Sequence, residues 1–552
     1  MQLDLIIHAS DIVTLDPNRP RANRVGVLHG RIVGFDEELD GLSARREEQL
    51  GDAVVTPGLI DAHCHTSWWG LSLDSVDLST VRSLAELYEK LDDAAQALHV
   101  KHGAWIHATG FNQALTGGQF PSIERLDAIT GDHPLYIRHT SGHAAITNTA
   151  TLNLIGALDE GFENPVGGAV VRGADGTPTG LIEESAQGLV QALLLPYSTE
   201  RLVEAIDEAT KRYAAQGITS FCEAGIAGGW IGHSPIEVSV YQAAAASGRL
   251  HARAQLMPTL DGLQPLTAHA ADFHDEGSGL GASLGVTFGF GTDMVRLGHT
   301  KVFLDGSLLG ATAAVTEDYC GHPHNTGYLL DEPGTYRERA LAAYRAGWPL
   351  ALHAIGDEAI DLALDLIGEA QERYGTLAAP CRIEHFGIAR PEQLTRAAAL
   401  GVAVTPQAGF IGPIGDQMAE RVGPSREGWL YRGRSVIDAG ILLAGSSDLP
   451  VADNNLRRGM QSAIDRLTSS GKVLGEAEGI TPIEALRCYT EWAAIASGQG
   501  ADRGTLEAGK LADFTAFSAS PLTAANMNDL EIVATFVGGA ATFDSRTAAG
   551  PG

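Results

Sequence analysis

The sequence predicts an α/β protein: a (β/α)8 TIM-like barrel, with a small β-sandwich built from both termini and an inserted subdomain after strand one. Three observations predict it. Eight short apolar segments suited to buried strands recur between residues 54 and 450. Several are followed by stretches of helical periodicity, the alternation that builds a parallel sheet wrapped in helices. Both ends of the chain read instead as short strands broken by turn residues.

The N-terminal runs are LDLIIHA, IVTLD, RVGVLHG and RIVGFD, and the C-terminal ones GTLEAGKLADFTAF and EIVATFVGGAATF. Domain termini often lie close together, so residues 1–56 and 498–552 are expected to pair into one composite sandwich. Residues 57–497 then hold the barrel. Its strand candidates are VVTPGLIDAHCH (54–65), GITSFCEAG (217–225), ARAQLMPT (252–259), VRLGHTKVFLDG (295–306), PLALHAIGD (349–357), CRIEHFGI (381–388), GVAVTPQ (401–407) and ILLAGSSDLP (441–450). EAIDLALDLIGEAQERYG follows the fifth and PEQLTRAAAL the sixth as helices. The long gap after the first segment carries its own strands, AWIHATGF and HPLYIRHT, and a hairpin-like GGAVVRGADGTPTGLIEE. Residues 67–200 are therefore an insertion, placed to overhang the barrel mouth, where such folds keep their active sites.

Composition narrows the function. A net charge of −30 over 552 residues repels phosphate backbones and argues against nucleic acid as a partner. Five scattered cysteines, with no paired spacing, argue against a disulfide scaffold and for a reducing compartment. The N-terminus has acids within its apolar run and no basic start, so it reads as a strand rather than a secretory signal. No apolar stretch reaches membrane-spanning length, and a cytoplasmic location is expected.

Chemistry concentrates at the ends of the strand candidates. Asp61-Ala62-His63-Cys64-His65 ends the first, and alternate residues of a strand face the same way. His63 and His65 therefore project together, as two imidazoles gripping one metal would, while Cys64 faces away. His322 and His324 share the spacing but sit among turn residues and read as a decoy. Lys301 is one of only six lysines and lies in an apolar strand. Burial disfavours its ammonium form. The neutral amine can take up carbon dioxide to give a carbamate, a carboxylate-like bridge between two metals; the plainer reading is a pair with Asp305 or another acid. His353 and His385 end the fifth and sixth segments. Asp448 ends the eighth, where it reads either as a cap or as a metal ligand and proton acceptor. Trp68, Trp69, Phe111, Phe120, His143, Trp429 and Tyr431 are candidates to line an apolar pocket, with Trp68, His143 and Phe111 as the substrate contacts.

The stretches PGLIDAHCH, SGHAAITNTATL, GTPTGLIEESA, KVFLDGSLLGATAAV, LHAIGDEAI, RIEHFG, GSSDLPV and GTLEAGKLADF run nearly end to end. In them the chain resembles the amidohydrolase superfamily, and within it the family-3 or YtcJ-like branch that includes N-substituted formamide deformylase. The resemblance implies two divalent metal ions, commonly zinc. His63, His65 and Asp448 would hold one and His353 and His385 the other, with carboxylated Lys301 as bridge. It implies an enzyme that hydrolyses a C–N amide-type bond of a small molecule, such as an N-substituted formamide or N-acyl amine with a hydrophobic substituent. Cyclic amides, aryl carbamates or ureas, N-acyl amino acids and deamination share the same ligand set, and a metal-free binding barrel is the alternative outside enzymes. A homodimer is the implied assembly. One departure stands out: Ser307-Leu308-Leu309-Gly310-Ala311 replaces an SLGSR-like stretch, removing an arginine.

Overall fold

The computed structural model describes residues 2–73, 75–97, 104–453 and 455–548. All eight expected segments contain strands, arranged as two parallel arcs. One arc runs Val295–Leu297, Arg253–Pro258, Ile218–Ile226, Leu59–Cys64; the other runs Thr300–Phe303, Leu350–Ala354, Arg382–His385, Ala403–Thr405, Leu442–Leu443. The fourth segment is thus split at Gly298-His299. Its first half pairs with the third strand and its second half with the fifth. Hydrogen bonds also cross both junctions between the arcs. Thr300 Oγ1 donates to the Pro258 carbonyl (3.1 Å) at one junction, and Ala62 N–H to Gly445 (3.2 Å) and Asp448 N–H to His63 (2.8 Å) at the other.

The strands are short and almost wholly buried, as expected for parallel strands covered on both faces. The helix Asp357–Tyr374 shows how the cover is written in the sequence. Ile360, Ala363, Leu364 and Ile367 recur at i, i+3, i+4 and i+7 and are buried. Asp357 and Glu358 sit in its first turn, where they complement the helix dipole, and Gly375 ends it with a φ of +75°. The helix Pro391–Ala399 follows the sixth strand in the same manner.

Residues from both termini form one sheet. Phe514–Phe517 pairs antiparallel with Val54–Pro57, linking Gln2–Val13, Arg21–Leu28, Arg31–Phe35 and Ser43–Gln49 to Ile532–Val537 and Ala540–Asp544. By hydrogen bonding, then, the expected sandwich is a single eight-stranded sheet. An irregularity between His8 and Ile12 explains how: residues 2–8 pair with Ser43–Gln49, while Asp11 and Ile12 pair with Val54 and Val55. The chain passes from this sheet to the first arc at Gly58. A Cβ there would lie 2.1 Å from Thr219 Oγ1, so only glycine allows the approach.

A buried ion pair ties sheet to arcs. Arg253 Nε and Nη2 each donate to the Asp513 carboxylate at 2.8 Å, and Gly538 N–H adds a third bond. Burial opposes the charge on Asp513, but Arg253 outweighs it and holds the pKa below the usual value. A depressed carboxylate pKa stabilises the fold above the unfolded value of about 3.9, and that contribution is lost as pH falls through the lower native value. Asp513→Asn should cost about 3–5 kcal/mol at pH 7, because it strands the Arg253 charge. In urea unfolding, the gap between parent and variant should narrow below pH ~4. An unchanged midpoint at pH 7 would contradict this.

The insertion forms a six-stranded sheet in the order Gly168–Arg172, Pro178–Glu184, Ala144–Thr147, Leu135–His139, Ile106–Phe111, Val76–Asp77. Among the described residues, no helix is long and apolar enough to cross a membrane.

Candidate metal centre

Six side chains from five strand ends converge. His63 Nε2 and His65 Nε2 lie 3.3 and 3.1 Å from Asp448 Oδ1. Lys301 Nζ is 3.4 Å from His63 Nε2. The His353 and His385 rings are 4.4 Å apart, and His385 is 5.0 Å from His63. One nitrogen or oxygen each from His63, His65 and Asp448 lie within 4.8 Å of one another, which makes them the one such cluster of His, Cys, Asp and Glu among the described residues.

Local structure aims these groups. His63 and His65 flank Cys64, whose thiol turns the other way to Thr66 Oγ1 and the Cys222 carbonyl. His385 and Asp448 have φ of +70° and +56°, left-handed conformations that residues with a Cβ adopt at a cost. His385 ends its strand and Asp448 lies in the loop after Leu442–Leu443, and both side chains line the cavity.

Burial sets the electrostatics. It lowers the His65 pKa to about 4 and that of His385 to about 3, so both imidazoles stay neutral and able to ligate near pH 7. It lowers Lys301 to about 8, with Glu384 and Asp448 resisting part of the fall. Among the described residues no acid makes a direct hydrogen bond or ion pair with Lys301. Asp305 instead accepts backbone N–H groups of Ala314, Ile355 and Gly356. Burial opposes ionisation of Asp448, but His63 and His65 outweigh it and hold its pKa well below the usual range.

The donor set fits divalent cations of the zinc type: buried imidazoles, one carboxylate and a lysine that can become a second. His65 Nδ1 and His353 Nδ1 are buried without a hydrogen-bond partner, a costly condition that a bound group would relieve.

These residues floor a cavity of about 600 Å³. Trp68, buried on the short helix after the first strand, and His143, from the insertion, both line it. His143 Nδ1 bonds Glu184 at 2.8 Å, and Glu184 accepts from Thr312 at 2.8 Å. Phe111 does not line the cavity. It is 1% exposed in the core of the insertion, packed between Phe120 and His139. An aromatic residue closing an insertion strand reads the same in sequence whether it faces a core or a pocket. Tyr431 lines the cavity, whereas His322 and His324 stay on an exposed loop.

The sequence matches the Amidohydrolase family over residues 46–543. The chain belongs to the amidohydrolase family. It is 30% identical to Protein LONG AFTER FAR-RED 3 of Arabidopsis thaliana, over 97% of this chain and 91% of that one. It is 29% identical to N-substituted formamide deformylase of Arthrobacter pascens, over 98% of each. The structure of an uncharacterized metal-dependent hydrolase from Pyrococcus horikoshii OT3 superposes with a TM-score of 0.73 at 24% identity, covering 95% of this chain and 99% of that one. That likeness places the fold of this amidohydrolase-family chain among TIM-barrel-like ones.

Several residues of the amidohydrolase-family site went unread in the sequence. His63 Nδ1 bonds Glu384, and Arg382 grips Glu384 with two bonds of 2.8 Å while donating to the Ala62 carbonyl. His385 Nδ1 bonds Gln407 at 2.7 Å. The signal for the first group was Arg, Glu and His crowded into one four-residue buried strand. Trp230, Phe303 and Leu309 also line the cavity; Trp230 stands in a glycine-rich loop beyond the second strand. Glu384→Gln should destabilise the fold by about 3–5 kcal/mol by unpairing Arg382, and weaken metal retention 10–100-fold by freeing the His63 ring. Unfolding midpoints and metal retained against a chelator would measure these. Parent values for both would refute the positioning role.

Proposed function

We propose that this protein is a metal-dependent hydrolase that cleaves a C–N amide-type bond of a small molecule. The observation that carries the reading is the convergence of His63, His65, Lys301, His353, His385 and Asp448 on one cavity floor. Membership of the amidohydrolase family supports it, as does the deformylase relative. In this reading the two arcs make one (β/α)8 barrel over residues 57–497, with residues 67–200 inserted and residues 1–56 and 498–552 forming the terminal unit.

His63, His65 and Asp448 would hold one zinc-type ion and His353 and His385 a second, and Lys301, once carboxylated, would supply a further carboxylate-like ligand. When bound, such ions polarise a carbonyl and lower the pKa of a water from 15.7 to about 7. The chain's own residues do the rest. Asp448 Oδ1 faces two imidazoles, which leaves Oδ2 to accept the water proton and return it to the departing nitrogen. Burial opposes protonation of His143, but Glu184 prevails and raises its pKa. With Nδ1 on Glu184, its Nε2–H can donate to the substrate carbonyl oxygen. Phe303, Leu308, Phe410, Ile414 and Met418 line the apolar wall and suit a hydrophobic substituent.

The test is metal analysis of the purified protein, followed by a panel of N-benzyl and N-aryl formamides, acetamides and carbamates with both fragments quantified. Near two equivalents of metal and metal-dependent release of amine and acid are expected. Ammonia as the released fragment, or no bound metal, would overturn the reading.

A further inference from the structure

A second cavity of about 860 Å³ lies beside the first. Trp68 and Trp230 line both, so the two indoles form the shared wall. The second cavity is enclosed by the insertion on one side and the loop after the second strand on the other, and its chemistry differs from the first.

The chain as a whole has 68 acidic and 38 basic residues. Yet among the described residues the lining of this cavity contains two arginines, Arg138 and Arg201, two histidines, His107 and His233, and no Asp or Glu. Glu237 stands behind His233 at 3.5 Å, and Arg201 is 3.7 Å from Glu204. Arg138 has neither an ion pair nor a hydrogen bond among the described residues; its guanidinium lies over the Trp68 ring at 4.4 Å. Stacking holds the flat cation in place while leaving its N–H edge open to a planar anion. Gln191 is 6% exposed, and neither its Oε1 nor its Nε2 has a partner. Trp68 Nε1, at the wall, is also buried and unpartnered. Three donors without partners around one cavity are a built site, since buried polar groups are otherwise satisfied.

We propose that this cavity binds the terminal carboxylate of the substrate, with Arg138 and the Gln191 amide as its recognition pair and Trp68 and Trp230 as the boundary it shares with the first cavity. The inference rests on the amide-hydrolase reading and narrows its substrate class. The substrate is an amide with an apolar group on one side of the scissile C–N bond, seated against Phe303 and Ile414, and a carboxylate on the other side. Hydrolysis adds one water: the C–N bond breaks, a C–O bond forms, and the proton goes to nitrogen. The products are an acid and an amine, one of them bearing the extra carboxylate. The lost arginine of the Leu309–Ala311 turn is then no obstacle to an anionic substrate, because the cation comes from the insertion.

The experiment is calorimetric binding of N-phenylacetylglycine, its neutral glycinamide analogue and acetate to the protein as purified with its metal, with fragment release followed in parallel. The acid should bind at least ten-fold tighter than the amide, and acetate at least ten-fold weaker than the acid. Arg138→Met, which keeps a stem over Trp68, should bring acid and amide to within about two-fold, and Gln191→Glu should do the same by like-charge repulsion. Metal content and melting temperature of each variant certify its fold. Equal affinity of acid and amide in the parent would overturn the proposal. So would an acid preference that survives Arg138→Met, because the carboxylate would then sit on the metal. Tight, Arg138-dependent acetate binding would assign the cavity to a free anion and overturn the substrate claim. An Arg138-dependent preference without fragment release would leave the subsite standing and sink the amide-hydrolase reading.

Discussion

Asp448→Asn should lower kcat about 10²–10⁴-fold while leaving the protein folded. In the proposed function the carboxylate, whose Oδ1 faces His63 and His65, would both help hold an ion and carry a proton from water to nitrogen. Its pKa is held well below the usual range by the two imidazoles against the opposing effect of burial, so it is ionised and ready to accept at neutral pH. An amide oxygen keeps the shape but has neither the charge nor the basicity. The backbone tolerates the change. Residue 448 has a φ of +56°, and asparagine adopts that conformation more readily than most residues. Loss of activity should therefore come without loss of the melting transition, and partial metal retention separates the two roles. With metal restored by excess zinc, kcat should remain depressed. A parent rate under those conditions would remove Asp448 from the proton path.

Lys301→Ala should lower bound metal to well under one equivalent and abolish turnover, and short-chain acids such as formate or propionate should restore part of both. Lys301 is 1% exposed, and burial brings its pKa to about 8. The neutral amine, the form that takes up carbon dioxide, is therefore accessible near physiological pH. The Coulombic partners of the amine are Glu384 and Asp448, and neither bonds it directly, so an ion pair does not explain its burial. A free carboxylate diffusing into the space left by the side chain would supply the oxygens that the proposed carbamate contributes. Full metal occupancy in the variant, with no response to added acid, would end the bridging role.

The strand ends were legible because the chemistry breaks their pattern. His63 and His65 at alternate positions, a rare lysine in an apolar run, and histidine or aspartate just where the apolar run ceases are local irregularities that need no fold to be seen. Glu384 and Arg382 lay in the same segment as His385 but read as strand polarity, because their partners, His63 and the Ala62 carbonyl, are about 320 residues away. Phe111 went the other way: its aromatic character was plain, its surroundings were not, and it packs inside the insertion.

Residue order and periodicity therefore settled which side chains leave the strands and in which direction, since strand alternation is a property of a few consecutive residues. Long-range packing settled the rest. It joined both termini into one sheet through Phe514 and Pro57, split the fourth segment between two arcs, and seated the insertion so that His143 and Arg138 look into cavities lined by the loop after the second strand. Those outcomes depend on contacts between residues far apart in the chain, whose energies no window of neighbouring residues contains.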